Sequence, residues 1–62
     1  MKDAEIIFEF QQFGSIVKVS AMHSRTLTEV SIQGPASAGE ATLKANALRR
    51  LEYVMRKKGL IE

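Results

Sequence analysis

From Glu5 to Phe13 apolar and polar residues alternate, with Ile6, Phe8 and Phe10 on one parity and Glu9 and Gln11 on the other. That period of two marks a strand with one buried face. Gly14-Ser15 interrupts the run and supplies a tight turn. The alternation resumes from Ile16 to Met22, where Val17, Val19 and Ala21 face one side and Lys18 and Ser20 the other. His23-Ser24-Arg25-Thr26 reads as a polar hairpin loop, although it lacks an Asn-Gly or Asp-Gly turn signal. Leu27 to Gln33 forms a third alternating run, with Val30 and Ile32 inward and Glu29 and Ser31 outward. Parity sends Ile7, Phe13, Ile16 and Met22 to the opposite face, which is an unusual amount of apolar surface to leave uncovered.

The period then changes. Gly34-Pro35 is expected to end the sheet, because proline cannot donate to a ladder. Ser37 stands three residues before Glu40, the spacing of a capping box that would open a helix. Between Glu40 and Lys58 there is no proline or glycine, and Leu43, Ala47, Leu48, Leu51, Val54 and Met55 share an arc of about 140° at helical spacing. Lys44 and Lys58 fall at the ends of this stripe, where long side chains snorkel. Gly59 is placed to be a left-handed residue just past the helix, with Leu60 folding back and Arg56, Lys57 and Lys58 at the favourable end of the helix dipole. The expected architecture is α+β: one domain, 1–62, with strands near 5–13, 15–22 and 27–33 in an antiparallel meander. A long C-terminal helix near 38–58 packs across one sheet face.

Composition narrows the function. The chain has 62 residues, 45% of them hydrophobic and 26% charged, in the range of a folded globular domain. Cores of this size rarely supply more than about 3–5 kcal/mol and are usually reinforced by disulfides, a metal or a partner. There is no cysteine and a single histidine, so disulfides, thiolate zinc sites and imidazole-rich metal sites are excluded, and no cofactor is expected. Self-association is the remaining reinforcement. A homodimer is expected, formed side by side or by exchange of a strand or helix about Gly34-Pro35. No apolar run approaches the length of a membrane span, and Met1-Lys2-Asp3-Ala4-Glu5 is unlike a secretory signal, so a cytoplasmic setting is expected.

The net charge of +2 is uneven. Residues 1–36 carry three basic and four acidic side chains, and residues 37–62 carry six basic and three acidic. On the helix, Arg49, Arg50, Arg56 and Lys57 surround Tyr53 on the face away from the apolar stripe. Positive charge around one aromatic ring suits a phosphate backbone with a stacked base. The same residues also suit a plain solvated face, with Glu52 spaced to pair with Arg49 or Arg56. These five residues are the candidate contact site for nucleic acid or a protein partner. Catalytic constellations are weak. His23 beside Ser24 reads as an exposed loop histidine with no third group to orient its ring. Glu5 and Glu9 lie too far apart along a strand to act as a carboxylate pair. The Gly34-to-Gly39 stretch lacks the Gly-Lys-Ser/Thr ending of a phosphate loop. No enzyme activity is expected.

Two resemblances bear on this reading. Three strands followed by a helix that Ser37 and Ala41 open is similar in topology to the double-stranded-RNA-binding domain. The positions where that family carries phosphate-gripping lysines hold Ala38, Gly39 and Thr42 here, and its N-terminal helix has no counterpart. A wider likeness runs through Phe8-Glu9-Phe10, Gly14, Val17-Lys18-Val19, Ala21, Glu29-Val30-Ser31-Ile32, Gly34-Pro35, Leu43, Ala47-Leu48 and Leu51-Glu52-Tyr53-Val54. This pattern, over nearly the whole chain, resembles a family of short alphaproteobacterial α+β proteins of unknown function. The resemblance implies a small α+β fold and a dimer, and it implies no activity, cofactor or site residue. The family pattern carries an Asp and a Thr-Gly in the second hairpin loop, where this chain has His23-Ser24-Arg25-Thr26-Leu27.

Overall fold

The computed structural model describes residues 5–61. Three strands, β1 (Ile6–Phe13), β2 (Ile16–His23) and β3 (Thr28–Pro35), form an antiparallel sheet in the order β1-β2-β3. A 3-10 turn over Ala36–Ala38 leads into α1 (Glu40–Lys57), which packs on the sheet. The expected β-β-β-α order is therefore present.

Side-chain parity divides the sheet as the alternation predicts. Phe8↔Ala21 and Phe10↔Val19 face each other across β1 and β2, and Val19↔Ile32 and Ala21↔Val30 across β2 and β3. The helix stripe closes over this face. Ile6, Val19, Ala21, Leu43, Ala47, Leu51 and Met55 are buried together, with Phe8, Val17, Val30, Ile32, Leu48 and Ile61 packed around them. On the opposite face Ile7, Phe13 and Ile16 are exposed, and Met22 is half-buried.

Turn chemistry explains the two hairpins. Gly14 adopts φ +62, a left-handed value, and Ser15 does not, the pattern of a type II′ turn that matches the twist of the flanking strands. The second loop closes with the Leu27 amide donating to the His23 carbonyl at 2.8 Å. To reach that bond Leu27 adopts φ +58, a conformation that costs a branched side chain about 1–2 kcal/mol.

Three local expectations are corrected. The last strand runs past the expected end at Gln33: Gly34 and Pro35 both belong to β3, and the sheet ends with them. Successive residues direct their amides alternately toward opposite sides of a strand, and the Ala36 amide bonds inward to the Ser15 carbonyl at 2.7 Å. The position before it, Pro35, thus turns its missing N–H toward the free edge, where a ladder loses nothing. Gly34 earns its place by close approach, since a Cβ there would lie 2.5 Å from Leu43 Cδ2. The capping box does not form: Ser37 lies within the 3-10 turn, and Gly39 at φ +89 is the N-cap, with no side-chain cap bond. At this positive φ Gly39 permits the sharp entry into the helix. At the other end Gly59 (φ +73) donates to the Arg56 carbonyl at 3.1 Å and Leu60 to Met55 at 2.9 Å, a Schellman motif. Leu60 stays exposed and Ile61 packs against the core instead.

Candidate functional site

The predicted basic face is present on α1. Arg49, Arg50, Tyr53, Arg56 and Lys57 are all exposed, opposite the buried line of Leu43, Ala47, Leu51 and Met55. Spacing by three and four brings two cations onto one ring: Arg50 Cζ lies 5.5 Å from the Tyr53 centroid and Lys57 Nζ lies 5.6 Å from it. Cations at this distance are held by the ring quadrupole, so a base stacking on Tyr53 must displace them. Arg49 Nη2 donates to Asn46 Oδ1 at 3.3 Å. The face is a positively charged surface whose one aromatic ring already has two partners.

His23 is not the exposed loop residue that the sequence suggested. It ends β2, is 6% exposed, and both ring nitrogens are engaged. The Thr26 amide donates to Nδ1 at 3.4 Å, so the ring proton sits on Nε2 and is donated to Glu5 Oε2 at 3.1 Å. Thr26 Oγ1 lies 3.2 Å from Nδ1 and 2.9 Å from Thr28 Oγ1, and Arg25 Nε donates to Glu5 Oε1 at 3.0 Å. The signal missed in the sequence was register: His23 falls opposite Ile6 and Thr28, with Glu5 just beyond β1. A third group does orient the ring. Carboxylate, imidazole and hydroxyl are the residue types of a hydrolytic triad. Here they lie in line along the open end of the sheet and tie β1, β2 and the second hairpin together.

A hollow lies elsewhere. A cleft of about 320 Å³ lies beside the helix, lined by Phe10, Gln12, Val17, Ala36, Glu40 and Leu43. Val17 and His23 are six residues apart on β2, so the cleft and the His23 network stand about 20 Å apart at roughly 3.3 Å per residue. The cleft exists because α1 lies over β3 and β2 and leaves β1 at the side. Phe10 is consequently 37% exposed, although its side chain belongs to the face that the helix covers. No group of three or more His, Cys, Asp or Glu side chains suited to a metal occurs among the described residues. Among those residues no helix is long and apolar enough to cross a membrane.

These features define a small β-β-β-α domain with an incompletely covered sheet and a basic outer helix face. Residues 3–58 match the family described as Domain of unknown function (DUF6898), and the chain belongs to that family. No curated protein and no solved structure matches it.

Proposed function

We propose that the protein is a non-enzymatic, homodimeric interaction module of the bacterial cytoplasm. The observation that carries this reading is the unfinished side of the core. Phe10 and the cleft beside it leave apolar surface open along β1, in a fold with no disulfide to compensate. Exposed apolar surface on a small domain favours a partner, and a second copy is always present at the concentration of the first. The separation of the His23 network from the cleft supports a structural role for that network.

A nucleic-acid-binding module is the second reading, favoured by the four exposed cations around Tyr53. Fluorescence anisotropy with labelled RNA and DNA over a salt series, run beside light scattering, separates the two. The interaction-module reading predicts a dimeric mass and no binding that weakens steeply with salt. Salt-sensitive binding that Arg49→Glu/Arg56→Glu abolishes, with the dimer intact, would replace it with the nucleic-acid reading.

A further inference from the structure

We propose that two copies pair antiparallel along β1, with Phe10 facing Phe10 at the two-fold axis, to form one six-stranded sheet. This inference rests on the homodimeric reading above and names its surface.

The two edges of the sheet differ. The Ser24 amide donates to the Glu5 carbonyl at 2.8 Å, which places the odd positions of β1 in the ladder with β2. The even positions Ile6, Phe8, Phe10 and Gln12 therefore direct their N–H and C=O groups to the open edge. None of these four is charged and none is proline. By the same alternation the open edge of β3 presents Glu29, Ser31, Gln33 and Pro35. A charge and a residue without an N–H are the devices that keep an edge strand unpaired. β3 is guarded, and β1 is not.

The sequence of β1 also selects a register. A two-fold axis perpendicular to the sheet must pass through a residue facing itself. An axis at Glu9 would oppose two carboxylates directly, which is unfavourable. An axis at Phe10 instead sets Glu9 against the partner's Gln11, Ile7 against the partner's Phe13, and Phe8 against the partner's Gln12. Ile7 and Phe13 are both exposed on the outer face of the monomer, and this register brings them together. The facing pairs at Phe8, Phe10 and Gln12 exchange about six backbone hydrogen bonds, two per pair.

Charge on the helix side agrees. Lys44 Nζ lies 4.9 Å from the centroid of Phe8, and Glu40 lines the cleft with Gln12. Pairing Phe8 with the partner's Gln12 therefore carries Lys44 toward the partner's Glu40, and the two-fold repeats the contact. Both helices come to lie on the same face of the joined sheet, with the two clefts between them.

The absence of native cysteine makes the register directly readable. Glu9 and Gln11 are exposed on the outer face, so Glu9→Cys and Gln11→Cys disturb no buried group. The two single variants are mixed, oxidised mildly and analysed by non-reducing mass spectrometry. The expected product is the mixed Glu9→Cys/Gln11→Cys disulfide, several-fold in excess over either self-disulfide. A dominant Glu9→Cys self-disulfide, or a dominant Gln11→Cys one, would show an axis at residue 9 or 11 and overturn the register. In parallel, Phe10→Lys is expected to halve the mass seen by sedimentation while keeping the helical circular dichroism. A variant that stays dimeric overturns the β1 interface and leaves the homodimer reading standing, as does a dimer with none of these cross-links, for example one that exchanges its helix. A wild-type protein that sediments as a monomer overturns both.

Discussion

Leu51→Ala is the sharpest test of how this fold is held together. Leu51 is fully buried in the middle of the helix stripe and belongs to one cluster with Val19, Ala21, Ala47 and Met55. The truncation removes three carbons, and at about 0.8 kcal/mol per buried carbon the transfer loss is about 2–2.5 kcal/mol. Close-packed neighbours relax only in part, and the cavity left behind raises the cost to about 3–5 kcal/mol. A single core in a domain of this size supplies about 3–5 kcal/mol in total. The variant is therefore expected to be largely unfolded at 25 °C in dilute solution. Leu48→Ala, at a half-buried position one turn away, should cost about 1–2 kcal/mol and stay folded. Urea titrations followed by circular dichroism at 222 nm measure both at one protein concentration. Equal losses at the two positions, or a loss below about 1.5 kcal/mol at Leu51, would refute the placement of the core.

Two further substitutions probe the second hairpin. Leu27 is 72% exposed and holds φ +58, so Leu27→Gly should relieve strain without losing packing and stabilise the fold by about 0.5–1.5 kcal/mol; a lower thermal midpoint would show that Leu27 packs on something. His23→Leu removes the ring that accepts from Thr26 and donates to Glu5, and should cost about 1–3 kcal/mol for the two lost bonds, with Glu5 keeping Arg25 as a partner. An unchanged urea midpoint would show that the network holds nothing together.

Much of this architecture is legible in the residues. Alternation at Phe8-Glu9-Phe10 and Val17-Lys18-Val19 sets which side chains face the helix, and the observed pairing of Phe10 with Val19 and Val19 with Ile32 follows from it. Gly14 and Gly59 mark a turn and a helix end because only glycine adopts a positive φ there without cost. Where the reading failed, a non-local contact outweighed a local signal. Ser37 and Glu40 have capping-box spacing, but the bond from Ala36 back to Ser15 extends β3 and shifts the turn, leaving Gly39 as the cap. Pro35 breaks strands in general and survives here because its nitrogen faces an edge. His23 looked like a loop residue until cross-strand register brought Glu5 and Thr28 beside it. For the basic face, exposure was readable from helical spacing, and so was the approach of Arg50 and Lys57 to Tyr53 at three and four residues. The open side of β1 was not readable. It depends on the helix lying toward β3, which Gly34 permits by letting Leu43 approach the strand.

The measurement that bears most directly on the account is amide hydrogen exchange along the two edges of the wild-type sheet, read residue by residue by NMR. If β1 is the dimer edge, the amides of Phe8, Phe10 and Gln12 are protected by hydrogen bonds to a second copy, while those of Glu29, Ser31 and Gln33 on the β3 edge exchange freely. Exchange at Phe8, Phe10 and Gln12 as fast as at the β3 edge would show an unpaired β1 and contradict the account.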